Sequence, residues 1–198
     1  MVNVAVLVSG GGTNLQAILD AQNAGKIPHA RVTLVVSNNP DAYALTRASK
    51  QGIETLVLSK ADYPAQSDFE AALISAIEEK KIDLIVLAGF MRILSANFTS
   101  RYPERILNVH PALIPSFCGK GFYGLRVHEA ALEKGVKVTG ATVHYVNEIP
   151  DGGRIIAQKA VDILPDDTPE TPQKRVMEQA EWILLPQAVE QVAAELSK

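Results

Sequence analysis

Asn3-Val4-Ala5-Val6-Leu7-Val8-Ser9-Gly10-Gly11-Gly12-Thr13-Asn14-Leu15-Gln16-Ala17-Ile18-Leu19 passes from an unbroken apolar run, through three glycines, into helical spacing. The run is too continuous for a half-exposed strand and about one strand long. It has no basic leader or small-residue cleavage site, so it reads as a core strand and not as a signal peptide. Consecutive glycines beside a helix start expose backbone N–H groups, which makes an anion site. The spacing is not G-x-G-x-x-G, and no lysine follows as in a P-loop, so one phosphate fits better than a nucleoside triphosphate. A tight turn capped by Thr13 or Asn14 explains the same residues without a ligand.

Similar runs rich in Val, Ile and Leu recur at 32–36, 53–58 and 82–88, each followed by a polar or helical stretch. That is the pattern of parallel strands buried on both faces. Asn39-Pro40-Asp41 predicts a cap with proline in the first helical turn, and Ser67-Asp68-Phe69-Glu70 reads as a capping box. Gly25 and Gly52 fall where the intervening helices should stop. Ile106-Leu107-Asn108-Val109-His110 predicts a fifth strand, followed by an irregular stretch over 111–125 long enough to cover a site. A short helix is expected near 126–134. Two strand-like segments follow, at 136–146 and 154–163, joined through the turn-forming Pro150-Asp151-Gly152-Gly153. The last segment opens with Thr168-Pro169-Glu170 as a cap and should break or kink at Pro186. The expected fold is α/β: a doubly wound, mostly parallel sheet with helices on both faces and an antiparallel addition in the C-terminal half. No repeat or linker divides residues 1–198, so one domain is expected.

Composition narrows the function. The 198 residues are 47% hydrophobic and 21% charged, with a net charge of −3 and no Lys/Arg cluster longer than two. Neutralisation of a nucleic-acid backbone is therefore disfavoured, and no membrane association is expected. The one cysteine, Cys118, excludes an internal disulfide and a thiolate zinc site, which fits the cytoplasm. The four histidines, His29, His110, His128 and His144, show no metal-ligand spacing.

Three further motifs bear chemistry. In Asn108-Val109-His110-Pro111, strand alternation places an amide and an imidazole on one face, and Pro111 ends the pairing. At the carboxyl end of a strand in an open sheet, such a pair offers an oxyanion donor and a group that titrates near neutrality. Asp151 has a bland reading as a turn residue, and His144 one as a satisfied strand histidine. Leu87-Ala88-Gly89-Phe90-Met91-Arg92-Ile93-Leu94 permits close backbone approach at Gly89 and can line an apolar slot.

Together, Ser9 to Ile18, Ala88 to Leu94, Asn108-Val109-His110-Pro111, Thr142-Val143-His144-Tyr145-Val146 and Asp151-Gly152 resemble the glycinamide ribonucleotide formyltransferases over almost the whole chain. The resemblance implies a Rossmann-like sheet and formyl transfer from 10-formyltetrahydrofolate, as co-substrate and without metal, in purine biosynthesis. It implies Asn108, His110 and Asp151 as catalytic residues, with His144 in support. Gly11, Gly12, Thr13 and Asn14 would hold the ribonucleotide phosphate, and Glu181 the glycinamide end. Met91, Arg92, Ile93, Leu94, Asn147, Glu148 and Pro150 would hold the folate. Asn108 and a protonated His110 would stabilise the oxyanion, with Asp151 raising the histidine's pKa. The partners implied are small molecules only, for a monomer or homodimer.

The chain departs from the family pattern twice. Ala65-Gln66-Ser67 lacks a basic residue often found there, and Glu181 precedes Trp182 where histidine is usual, with the spacing from Arg175 changed by about one residue. Formyltetrahydrofolate hydrolases share the Asn, His and Asp pattern but carry an N-terminal regulatory segment, whereas the sheet here begins at residue 3. Methionyl-tRNA formyltransferases would add a C-terminal domain and a basic face. A non-catalytic phosphometabolite-binding module is the third alternative. Because a formyl amide is already electrophilic, formyl transfer is expected to continue in excess EDTA; loss of activity restored by a divalent cation would contradict the reading.

Overall fold

The computed structural model describes residues 1–198. Seven strands form one sheet: β1 (Val2–Val8), β2 (Ala30–Ser37), β3 (Glu54–Val57), β4 (Leu84–Leu87), β5 (Ile106–His110), β6 (Val138–Tyr145) and β7 (Ile155–Asp162). Their order is β3-β2-β1-β4-β5-β6-β7. β1 to β5 pair in parallel, β6 pairs antiparallel with β5, and β7 pairs antiparallel with β6. The chain builds outward from β1 to β3, then crosses back to β4 and builds the other way. The order therefore reverses between β1 and β4, and a crevice opens outside their carboxyl ends.

The helices are α1 (Thr13–Asn23), α2 (Tyr43–Lys50), α3 (Gln66–Glu79), α4 (Ala96–Thr99), α5 (Leu125–Lys134), α6 (Glu170–Val176) and α7 (Trp182–Leu196). β1 accounts for its own continuous apolar run. Val4, Val6 and Val8 pack with Leu15 and Ile18 of α1 and Leu185 and Val189 of α7. Ala5 and Leu7 point the other way, into Phe69, Leu73 and Ile77 of α3 and Phe98 of α4. Burial on both faces rewards apolar side chains at successive positions, each large one contributing about 1.5–3 kcal/mol. β3 differs from expectation: Glu54 and Thr55 are exposed. It is one of the two edge strands of the sheet.

The glycine helix stops hold and the polar starts do not. Gly25 and Gly52 adopt φ of 67°, and the next N–H bonds back five residues, Lys26 to Ala21 and Ile53 to Ala48. By contrast, α2 starts at Tyr43, and Asn39 Oδ1 accepts the Asp41 N–H in a turn ahead of it. α3 starts at Gln66, so Ser67 lies inside its first turn. Glu70 does not return to cap α3 and instead accepts the Ser95 N–H and hydroxyl at 2.7 and 2.6 Å. Thr168 donates its hydroxyl to Glu170 and caps nothing. A helix start can be capped by any polar group that tertiary structure brings near, so local spacing decides it weakly.

Pro186 does not break the last helix. α6 passes through a π-helical turn, Met177–Glu181, into α7, which runs past Pro186 to Leu196. A proline ring crowds the carbonyl four residues back, here that of Trp182, and the widened turn ends just before that residue.

One close approach fixes how the β6–β7 connection returns to the sheet. A Cβ built on Gly153 would stand 1.7 Å from the Tyr145 carbonyl oxygen. Gly153→Ala is therefore expected to cost at least about 1–3 kcal/mol and to lower activity by displacing the neighbouring Asp151. Thermal unfolding and turnover check this, and a parent-like midpoint would contradict it.

Candidate active site

The glycine loop leaves β1 and ends at Gly12, whose φ of 72° is left-handed. A side chain there would meet Ala44 Cβ at 2.5 Å, so the loop and α2 approach as only glycine permits. α1 then begins at Thr13 with no side-chain cap, which leaves its first-turn N–H groups for a ligand. Asn14 donates to Glu181 Oε2 at 2.6 Å, while Asn14 Oδ1 is buried without a partner. Burial pushes the Glu181 carboxyl up, opposed by the Asn14 hydrogen bond. The π-helical turn thus delivers Glu181 to the glycine loop despite the altered spacing and the neighbouring Trp182.

β4 ends at Leu87, and Gly89 turns the chain with φ of 71°. The Met91 N–H donates to Ser9 Oγ at 2.9 Å, tying this loop to the first. Arg92 turns its guanidinium away toward α3. It donates to Gln66 Oε1 at 2.9 Å and to the Tyr63 and Ala65 carbonyls, and its Cζ stacks 4.0 Å over Phe69. The side chain of Arg92 thereby braces the loop. Leu94 is buried, whereas Met91 and Ile93 are exposed.

β5 extends two residues past β4, since Asn108 pairs with the last residue of β4, Leu87. Across to β6, Asn108 faces His144 and His110 faces Thr142. Opposite residues of an antiparallel pair share a face, so the amide and both imidazoles meet on one side. Asp151 reaches over that side from the β6–β7 connection with φ of 54°, a conformation an aspartate tolerates better than most residues. Its Oδ1 lies 3.5 Å from Asn108 Nδ2 and 3.5 Å from His144 Nε2, and its Oδ2 lies 3.6 Å from His110 Nδ1. His144 Nδ1 contacts the Tyr145 carbonyl at 2.7 Å and can only donate to it. In a neutral ring Nε2 is then free to accept from Asn108 Nδ2, 3.2 Å away. One amide hydrogen of Asn108 is spent on His144, and the other is held only loosely by Asp151.

The stretch after β5 folds over these groups. Thr142 Oγ1 donates to the Ala112 carbonyl and accepts the Ile114 N–H. His110 Nε2 donates to the Phe117 carbonyl at 2.8 Å, and the Gly119 N–H donates to Asp151 Oδ2 at 2.8 Å. Phe117 and Gly119 were invisible as site residues in the sequence, because a loop backbone has no side-chain signature. Asn108, His110, Asp151, His144, Met91 to Leu94, Asn147, Glu148 and Pro150 all line one cavity of about 630 Å³. Gly11 to Asn14 and Glu181 lie outside it, on the β1 side. A second cavity, about 620 Å³, lies between α1 and α7 against Trp182 and Pro186 and touches none of the three candidate catalytic groups.

Electrostatics correct one expectation. Burial holds the His110 imidazole below its ordinary 6.5, outweighing the opposite pull of Asp151 and of the Phe117 carbonyl. The ring's donor is the Nε2–H that the Phe117 carbonyl accepts. Burial also pushes Asp151 upward, but the nearby His144 imidazole, the Gly119 N–H and the nearby His110 imidazole leave it below the usual carboxylate range. His128 of α5 is buried and brought down to about 4, by burial first and by His110 second. No group of three or more His, Cys, Asp or Glu is arranged to hold a metal ion, and no helix is long and apolar enough to cross a membrane.

Residues 2–189 match the family described as formyl transferase. The chain belongs to the formyl transferase family. Like the other members, it is a transferase enzyme of the formyl group. This formyl transferase is 42% identical to the phosphoribosylglycinamide formyltransferase of Haemophilus influenzae over 179 residues, 90% of this chain and 82% of that one. It is 45% identical to the trifunctional purine biosynthetic protein adenosine-3 of Gallus gallus, covering 98% of this chain but spanning only 18% of that protein. The crystal structure of glycinamide ribonucleotide transformylase 1 from Symbiobacterium toebii superposes with a TM-score of 0.91 at 42% identity, over 98% of this chain and 89% of that one.

The proton balance at His110 can be measured. Its C2–H resonance in the unliganded enzyme should titrate with a midpoint below 6.5, and Asp151→Asn should lower it further by removing the one carboxylate that favours the imidazolium. A midpoint above 6.5 in the parent would overturn the assignment.

Proposed function

We propose that the chain transfers the formyl group of 10-formyltetrahydrofolate to the amine of 5'-phosphoribosylglycinamide, giving formylglycinamide ribonucleotide and tetrahydrofolate. One observation carries this reading: an amide, an imidazole and a carboxylate converge on one cavity, with a phosphate-type glycine loop on one side and an apolar slot on the other. The reading also implies small-molecule substrates, a cytoplasmic setting suited to one free cysteine, and a monomer or homodimer.

The glycine loop and the first turn of α1, with Gly11, Gly12, Thr13 and Asn14, would seat the ribonucleotide phosphate. Asn14 Oδ1 and the Glu181 carboxyl suit the N–H and hydroxyl groups of the same substrate. The folate would lie along residues 91–94 and against Asn147, Glu148 and Pro150, with Arg92 contributing main chain only. Its formyl oxygen would replace the Phe117 carbonyl at His110 Nε2.

The amine nitrogen then attacks the formyl carbon, and the carbonyl electrons move onto oxygen. Asn108 and the His110 Nε2–H stabilise that oxyanion. Asp151 Oδ2, 3.6 Å from His110 Nδ1, orients the ring and favours positive charge on it as the oxyanion develops. Collapse breaks the bond from carbon to the folate nitrogen. The proton lost by the amine goes to that nitrogen, through His110 or a water. Holding both substrates in register supplies the remaining advantage.

The first test is a formyl-transfer assay with and without the ribonucleotide. Transfer that needs the ribonucleotide supports the proposal, whereas release of formate alone would replace it with folate hydrolysis. Asp151→Asn keeps the shape and removes the charge. Turnover should fall at least about a hundredfold, and a decrease of less than about threefold would remove Asp151 from the mechanism.

A further inference from the structure

We propose that Arg47 is a positioning residue for the glycine loop: from α2 it draws the Gly11 carbonyl outward and so aims the Gly12 N–H into the phosphate seat. The inference rests on the reading that this loop takes the ribonucleotide phosphate.

Three successive carbonyls of the loop are bound on one side. Asn39 Nδ2 donates to the Ser9 carbonyl at 3.3 Å, the Ala44 N–H donates to that of Gly10 at 3.1 Å, and Arg47 Nε donates to that of Gly11 at 2.8 Å. In a trans peptide the C=O of one residue and the N–H of the next point in opposite directions. Pulling these carbonyls toward α2 therefore turns the N–H groups of Gly10, Gly11 and Gly12 the other way, in line with the first turn of α1. Successive N–H groups facing one concavity, closed by a left-handed residue such as Gly12, make an anion nest.

Three glycines in a row have almost no conformational preference of their own. Without an outside clamp the loop would be ordered only by the ligand, at the ligand's expense in affinity. Arg47 is suited to the task. Its second arm donates from Nη1 to Gln16 Oε1 at 3.0 Å, bridging the loop to α1, and its Cζ sits 5.0 Å over the Tyr43 ring, which holds the guanidinium in place. The side chain is only half-buried, so replacing it should spare the fold.

Glutamine carries an N–H at the same number of bonds from the backbone as the Arg47 Nε, and methionine carries a methyl there. Arg47→Met is expected to raise KM for phosphoribosylglycinamide about tenfold, as for one lost hydrogen bond. Its kcat and its KM for the folate should stay within about twofold. Arg47→Gln should recover most of the loss. A parent-like KM in Arg47→Met, or a Gln variant no better than the Met variant, overturns the inference. If the parent transfers no formyl group, the functional reading has failed, and the clamp is judged by inorganic phosphate alone. A rise in melting temperature with phosphate in the parent and Arg47→Gln, lost in Arg47→Met, supports it; no rise in the parent overturns it.

Discussion

A carboxylate taken out of water must find partners inside the protein, and Asp151 finds them on three separate segments of the chain. Asn108 comes from β5, His144 from β6 and the Gly119 N–H from the stretch that follows β5. An isolated buried charge costs several kcal/mol, so these contacts are an obligation and not an ornament. They also do more than satisfy the charge. They fix where the amide and the imidazoles point, and they hold the covering loop against the cavity.

The reversal of strand order between β1 and β4 gives that carboxylate its setting. It sends the loops after β1, β4 and β5 to one rim, where each brings a different chemistry. The first brings a row of backbone donors, the second a hydrophobic slot braced by Arg92 and Phe69, and the third the groups proposed to react. Ser9 ties the first two together through the Met91 N–H. The bracing residues, Arg47, Gln66 and Arg92, all lie outside the reaction and hold flexible backbone in shape for it. A site for two substrates depends on such bracing, because misplacement of either by about an ångström costs far more rate than the loss of one contact.

Much of the arrangement was legible before any coordinates. The strands, the glycine helix stops and the side of the sheet bearing Asn108 and His110 follow from periodicity, because burial on both faces and strand alternation impose it directly. The side-chain caps expected at 39–41, 67–70 and 168–170 do not form for a related reason. Thr168 turns to Glu170 two residues on, while Glu70 finds Ser95 and Asn39 finds the Ser9 carbonyl, partners that spacing along the chain does not encode. The same holds for the Arg92 guanidinium, whose partners Gln66, Tyr63, Ala65 and Phe69 lie 23 to 29 positions away.

What the sequence by itself determined was the doubly wound, mostly parallel class of the sheet, the family resemblance and the residues proposed for the reaction, since these rest on local pattern and residue type. Only the tertiary structure decided that Asp151 meets His110, that Glu181 meets Asn14 across 167 positions, and that burial holds the His110 imidazole below its ordinary pKa. Each of those depends on the balance between desolvation and a partner's charge, and that balance exists only where remote segments exclude water together.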